Sequence, residues 1–132
     1  MNLKLIDFGF TAPIQEKKPV AGTGPYMSPG MHMLKSTNYI CDDIFAMGVI
    51  LYIMLTQMQP FIEANKDDEH YRPLYLGLHS TFWEKSTSNT GKNLSFKLKQ
   101  LLTMMLSPNE CERPSIQDIM NHPWMQDFNQ TE

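Results

Sequence analysis

A nearly unbroken apolar segment, residues 44–55, constrains the fold of this chain more than any other feature. The segment is too long for an ordinary strand, and Asp42 or Asp43 supplies a side chain that can cap a helix at its start. Because the segment is apolar on almost every side, other elements must surround it. It is shorter than the roughly 20 residues of a membrane span. We therefore predict a buried helix at the centre of a helical domain.

Shorter helices are predicted around this centre. Leucines and methionines recur at helical spacing over residues 94–106, and Ser107-Pro108 ends that pattern. Residues 115–118 have the form of a capping box, which predicts a last short helix that ends near His122-Pro123. The polar stretch 63–91 predicts one short helix near residues 70–78 with loops around it.

The beginning of the chain has a different character. Leu3, Leu5 and Ile6 form a short apolar run that predicts a brief strand. Residues 10–30 contain so many prolines and glycines that they predict a long irregular loop, which is usually functional or disordered.

Composition excludes several functional classes. Of the 132 residues, 42% are hydrophobic and 19% charged, which is typical of a globular chain, and the net charge of −3 disfavours a nucleic-acid-binding protein. The two cysteines, Cys41 and Cys111, lack the spacing of a zinc site or a disulfide framework. No signal-peptide pattern is present. We expect a cytoplasmic protein with no nucleic-acid or membrane partner.

Five aromatic residues precede or surround the predicted short helix, and two interpretations of them remain open. They form either an aromatic site for a partner or a cap on the core, and neither role excludes the other. The residues are Phe61, Tyr71, Tyr75, Phe82 and Trp83.

Two motifs in the N-terminal loop carry the functional signal. Asp7-Phe8-Gly9 is a common tripeptide that alone indicates little more than a turn. Residues 22–29 then read Gly-Thr-Gly-Pro-Tyr-Met-Ser-Pro. The two motifs in this order resemble the activation segment of protein kinases.

The resemblance implies roles for the first motif. Asp7 would bind the magnesium ions that bridge the phosphates of ATP, a role that suits a carboxylate because small hard cations prefer oxygen ligands. Phe8 would pack to set the active state, and Gly9 would allow the loop to move. Thr11 is the only hydroxyl residue between the motifs, so a conventional activating phosphorylation site is not evident.

The second motif resembles the kinase loop that binds the substrate peptide. By this resemblance Gly22 begins the loop, Thr23 lies against the catalytic Asp and favours Ser/Thr substrates, and Tyr26 and Pro29 shape the peptide pocket.

Later motifs follow the family order. Asp43 and Gly48 fit the start of the long buried helix of the kinase C-terminal lobe, where the Asp accepts hydrogen bonds from the catalytic loop. Glu112-Arg113-Pro114 followed by His122-Pro123-Trp124 is similar to the end of Ser/Thr kinase domains of the calcium/calmodulin-dependent group.

The resemblance covers almost the whole chain and implies a mainly α fold, the helical C-terminal lobe of a kinase with a short β segment and an activation loop at its N-terminus. The implied partial kinase domain spans residues 1–126, with the activation segment at 7–30, the helical lobe at 31–126 and a tail at 127–132. Its implied function is transfer of the ATP γ-phosphate to protein Ser/Thr hydroxyls with Mg²⁺, and its implied partners are a protein substrate and upstream kinase segments including the N-lobe.

Two departures from the family pattern leave an alternative open. Gly30 stands where kinases have a Glu that pairs with the Arg matched by Arg113, so that Arg113 must find another acid or remain unpaired and leave the loop loose. No Gly-rich loop, phosphate-binding Lys or His-Arg-Asp segment occurs in the sequence, so the catalytic base is expected upstream and the chain alone is predicted to be inactive. The alternative is a non-catalytic, pseudokinase-like helical module that binds a protein partner.

Overall fold

A computed structural model describes residues 1–16, 22, 24–35 and 38–129. Within these residues the regular structure is helical, with two single 3₁₀ turns at Gly24–Tyr26 and Glu110–Glu112. The α-helices are α1 (Pro29–His32), α2 (Tyr39–Thr56), α3 (Arg72–Tyr75), α4 (His79–Thr90), α5 (Phe96–Met105), α6 (Ile116–Asn121) and α7 (Pro123–Asn129). The mainly α prediction is confirmed.

Helix α2 is the predicted central helix, but it begins earlier than predicted. Its cap is Asn38, whose side-chain oxygen accepts hydrogen bonds from the amides of Ile40 at 3.0 Å and Cys41 at 3.3 Å. The prediction that Asp42 or Asp43 caps the helix is therefore wrong, because both residues already lie inside its first turns.

The main core forms where α2 meets α4, α5 and the loop before α3. Phe45, Val49 and Tyr52 supply the α2 side of this cluster. The other buried members are Phe61, Ala64, Tyr71, Leu74, Phe82, Trp83, Leu98, Leu102 and Leu106. Four of the five aromatic residues singled out above are thus core residues, whereas Tyr75 is 40% exposed.

By length and composition alone, α2 could cross a membrane, since its mean hydropathy is 1.7. The core helix of a soluble protein meets the same criteria. Here the buried residues of α2 pack against α4 and α5. The helix is not surrounded on every side by the described residues, however, because Met47, Ile50 and Met54 remain exposed.

Helix α4 occupies a region that the sequence predicts to be loops. Phe82, Trp83 and Ser86 form its buried face, and the Ser86 hydroxyl lies 2.6 Å from the Tyr52 hydroxyl of α2. Gly91 ends the helix at a φ of 68°, a left-handed conformation that glycine adopts at little cost. Tertiary packing thus outweighs the weak helix propensity of its Ser, Thr and Asn residues.

The capping box before α6 is confirmed. Ser115 Oγ accepts from the Asp118 amide at 3.1 Å, and the Asp118 carboxylate accepts from the Ser115 amide at 3.0 Å. Of the three apolar residues of α6, Ile119 is buried, whereas Ile116 and Met120 are exposed. Helix α6 ends before His122 as predicted, but it is not the last helix, because Pro123 begins α7.

The predicted β segment at the N-terminus is absent from the described residues. Leu3, Leu5 and Ile6 are more than four-fifths exposed and form no strand. A strand needs hydrogen bonds to a neighbouring strand. None occurs in the part of the chain that the structure describes, so the apolar pattern of these residues does not produce one here.

Gly48 lies where α2 comes closest to α5. A Cβ atom on Gly48 would stand 3.0 Å from Met105 Cβ and 3.1 Å from Leu106 Cδ2. We predict that Gly48→Ala lowers the free energy of unfolding by about 1–2 kcal/mol, because crowding outweighs the gain in helix propensity. Urea denaturation measures this change. Ser88→Ala, on the exposed side of α4, is the control and should stay within about 0.5 kcal/mol; stabilisation by Gly48→Ala would contradict the close approach.

Asp68 organises the loop that precedes α3. Its Oδ2 accepts from the amides of Ile62 at 2.9 Å and Glu63 at 3.0 Å, and its Oδ1 accepts from the amides of His70 at 2.9 Å and Tyr71 at 3.0 Å. Burial alone would raise the pKa of Asp68, but these four donors favour the carboxylate and bring its pKa below the ordinary value.

We predict that Asp68→Asn lowers the free energy of unfolding by about 1–3 kcal/mol at neutral pH, because an amide cannot accept from all four donors. The folded-state pKa is lowered, so the stabilisation is complete above the ordinary Asp pKa of about 3.9 and is lost as the pH falls below it. Urea denaturation at pH 7 and pH 3 measures both effects. Asp67→Asn is the control. A difference between wild type and Asp68→Asn that does not shrink at pH 3 would contradict this role.

Candidate functional site

The Asp7-Phe8-Gly9 segment forms a tight, exposed turn. The Gly9 amide donates to Asp7 Oδ1 at 3.2 Å, and the Thr11 amide donates to the Phe8 carbonyl at 3.0 Å. Asp7 has a φ of 60°, which Asp tolerates better than most residues and which occurs preferentially at functional sites. Phe8 is 65% exposed, and the packing predicted for it stays a prediction.

The peptide-side loop, defined here as residues 22–32, packs more closely. Gly24–Tyr26 forms a 3₁₀ turn, and Tyr26 contacts the main core. His32 Nε2 lies 3.1 Å from the Gly24 carbonyl and donates to it, since a carbonyl only accepts. Pro29 is buried at the start of α1. Thr23 lies outside the described residues.

Ser28 ties this loop to the central helix. Its side chain is fully buried. Its hydroxyl accepts from the Met31 amide at 3.2 Å, which caps α1, and donates to Asp42 Oδ1 at 2.5 Å. One hydroxyl thus fixes both the start of α1 and the distance from the loop to α2.

Arg113 completes this buried cluster from the far end of the chain. Its Nη1 lies 3.5 Å from Asp42 Oδ1 and donates to the Cys41 carbonyl at 3.0 Å. Its Nε donates to the Ser107 carbonyl at 3.0 Å, and its guanidinium lies 5.1 Å from the centre of the Phe45 ring. We call Ser28, Asp42 and Arg113 the anchor cluster.

Arg113 is therefore not left unpaired by the glycine at position 30. Its acidic partner is Asp42, a residue that the sequence analysis considered only as a helix cap. Glu112, which is adjacent in sequence, instead accepts a hydrogen bond from the Ser107 hydroxyl at 2.8 Å. Of the two outcomes that the sequence left open, Arg113 thus finds another acid, and that acid comes from α2.

Asp43 lies beside the anchor cluster but faces the other way. Its side chain is exposed on α2. The surrounding protein still removes part of its hydration, which raises the pKa of Asp43, and the charge of Asp42 raises this pKa further. The predicted bonds from a catalytic loop to Asp43 stay a prediction.

Comparison with protein families decides the identity of the fold. The family model for the protein kinase domain matches residues 1–125. The chain belongs to this family. Within the kinase domain, the anchor cluster joins the peptide-side loop to the helical lobe.

The relatives of this kinase segment are kinases, and several are named serine/threonine-protein kinases. It is 32% identical to a calcium and calcium/calmodulin-dependent serine/threonine-protein kinase of Lotus japonicus, over 93% of this chain and 23% of that protein. It is 34% identical to a calcium/calmodulin-dependent serine/threonine-protein kinase of Malus domestica, over 93% of this chain and 29% of that protein. A mouse protein, sperm motility kinase Z, is 29% identical over 98% of this chain and 25% of its own length.

The chain thus spans roughly a quarter of the length of these relatives and is part of a Ser/Thr protein kinase domain. Its predicted site residues fall into two groups. Arg113 belongs to the anchor cluster, Pro29 directly follows Ser28 of that cluster, and Gly48 lies further along α2. Asp7 and its neighbours lie in residues 1–16, where no side chain is buried.

Proposed function

We propose that the longer protein containing this chain transfers the γ-phosphate of ATP to Ser/Thr hydroxyls of a protein substrate. The observation that carries the proposal is the kinase-family match over residues 1–125, which includes Asp7-Phe8-Gly9 and the peptide-side loop in the family's order. The anchor cluster supports it, because a peptide-binding loop must be held in one position to orient a substrate. A cytoplasmic location is part of the proposal and agrees with two free cysteines.

In this proposal Asp7 holds magnesium. Its exposed carboxylate suits a hard cation, and Mg²⁺ in kinase sites is bound by one or two carboxylates together with phosphate oxygens and water. The chemistry that ATP and Mg²⁺ supply is the transferable phosphoryl group and the neutralisation of its charge. No group of three or more acidic, His or Cys side chains that could hold a metal forms among the described residues, so the remaining ligands would come from upstream segments, nucleotide and water.

The peptide-side loop would bind the substrate. Tyr26 and Pro29 are proposed to shape the pocket; Tyr26 packs against the core and Pro29 is buried, so together they would give that pocket a fixed wall. Thr23 is proposed to favour Ser/Thr substrates through contact with the catalytic Asp. That Asp would lie in the part of the protein that precedes Met1, so the isolated chain is predicted to transfer no phosphate.

A second candidate is a non-catalytic helical module that binds a protein partner. It is favoured by an open groove of about 940 Å³ between α4 and α5. Apolar side chains of Trp83, Phe96 and Met104 line the groove together with polar ones, and Phe96 is 81% exposed. Exposed apolar surface of this kind marks interaction sites.

The transcript upstream of the Met1 codon, read with the mass of the native protein, separates the two candidates. The kinase proposal predicts an in-frame Gly-rich loop and a His-Arg-Asp segment with its following Asn, together with a native mass that includes them. A transcript that truly starts at Met1, with a native mass near the 15.3 kDa of this chain, would overturn the kinase proposal and favour the binding module.

A further inference from the structure

The buried carboxylate of Asp42 joins segments that are far apart in the chain. It is 5% exposed and accepts from the Ser28 hydroxyl of the peptide-side loop while it faces the Arg113 guanidinium. A buried carboxylate is tolerated only when it is paired and hydrogen-bonded. Ser28 supplies the hydrogen bond and Arg113 supplies the paired charge.

The cation of this pair is held independently of the loop. Arg113 donates to the carbonyls of Cys41 and Ser107, and its guanidinium lies against the Phe45 ring. These contacts fix the guanidinium beside the start of α2. Asp42 is therefore the group through which the fixed cation acts on the loop.

Ser28 is the loop's point of attachment. It is fully buried, it caps α1 through the Met31 amide, and it donates to Asp42. The amides of His32 and Met33 then bond to the carbonyls of Ser28 and Pro29 at 3.1 Å each. A change at Asp42 is thus transmitted through Ser28 to α1.

We propose that Asp42 is a positioning residue for the peptide-side loop, and that α2 in this chain carries the anchoring negative charge that kinases otherwise place in the loop at the position of Gly30. The role in positioning a substrate peptide rests on the proposed function, whereas the contacts of Asp42 with Ser28 and Arg113 do not depend on it. It assigns a role to a residue that the motif comparison passed over in favour of its neighbour Asp43.

The test is hydrogen exchange of the loop, measured by mass spectrometry on the longest protein that the transcript encodes. Asp42→Asn and Ser28→Ala are expected to speed exchange of the His32 and Met33 amides at least tenfold, relative to the Leu106 amide, which bonds to Leu102 in the core. The Ser28→Ala variant removes only a hydroxyl and keeps the test open if Asp42→Asn does not fold. Asp67→Asn, the same change at an exposed residue of the loop before α3, is the control and should leave the loop amides unchanged.

A second readout separates positioning from bulk stability. If the protein transfers phosphate, Asp42→Asn should raise KM for the protein substrate at least tenfold and leave KM for ATP unchanged. Loop amides that exchange in step with Leu106 in both variants would overturn the inference. Faster loop exchange in a protein without phosphoryl transfer would support the anchor and reject the proposed function, so the two failures are distinguishable.

Discussion

Replacement of Arg113 by leucine is expected to lower the free energy of unfolding by about 3–5 kcal/mol, because it leaves the buried carboxylate of Asp42 without its cation. That loss is a large share of the roughly 5–15 kcal/mol by which a domain is stable. The Arg113 side chain is 1% exposed and Asp42 is 5% exposed, so water cannot replace the lost partner. Urea denaturation followed by tryptophan fluorescence measures the change.

Arg72 provides a matched control for this prediction. It also donates to two backbone carbonyls, of Lys66 at 2.9 Å and Asp67 at 3.2 Å, but these hydrogen bonds are exposed. We expect Arg72→Leu to cost no more than about 1 kcal/mol. The double variant Arg113→Leu with Asp42→Asn should cost less than the sum of the two single changes, since it removes both charges together. Equal costs for Arg113→Leu and Arg72→Leu would contradict the buried pair.

Replacement of Phe45 by alanine is expected to lower the free energy of unfolding by about 3–5 kcal/mol. Phe45 is 0% exposed and lies at the junction of the core and the anchor cluster. Its ring centre lies 6.0 Å from that of Phe61, 6.2 Å from that of Tyr71 and 5.1 Å from the Arg113 guanidinium. Truncation would leave a cavity and remove the apolar support of the guanidinium.

The control for Phe45 is the exposed Phe96 at the start of α5. Phe96→Ala makes the same change in side-chain size, but the side chain it removes is 81% exposed. The substitution therefore removes little buried apolar surface and should change stability by no more than about 0.5 kcal/mol. Thermal and urea unfolding of both variants give the comparison. A cost below about 1 kcal/mol for Phe45→Ala would show that its site collapses without a cavity and would contradict the packing described here.

The sequence predicts the elements whose signal is local. The apolar run of α2 and the capping box of α6 identify these helices because periodicity and capping depend on neighbours in the chain. Helix α4 is predicted as loop, since its Ser, Thr and Asn residues favour turns. Its stabilisation comes from Phe82 and Trp83 in the core and from the contact of Ser86 with Tyr52. The short strand at Leu3, Leu5 and Ile6 is predicted from their apolar run alone, which does not supply a pairing partner.

In the candidate site, too, local motifs are predictable from the sequence whereas contacts between distant residues are not. The motifs around Asp7 and Pro29 can be identified from their order in the sequence. The partner of Arg113 cannot, because Asp42 lies far from Arg113 in the chain and is adjacent to Asp43, which fits the kinase motif better. A signal did exist: Asp42 and Asp43 directly precede the apolar segment 44–55, and in the helix one of these two carboxylates is buried while the other is exposed. Only the helix start at Asn38 shows which one, since it sets the side that each aspartate faces.

Phosphoryl transfer by the native protein tests the central claim most directly. The protein purified from its own cells is incubated with γ-labelled ATP, Mg²⁺ and a Ser/Thr peptide library, beside Asp7→Asn and Asp67→Asn versions. The account predicts labelled phosphoserine or phosphothreonine, lowered at least about 100-fold by Asp7→Asn and unchanged by Asp67→Asn, since Asp7 is proposed to hold the metal. Equal transfer by wild type and Asp7→Asn, or no transfer to any peptide, would contradict it.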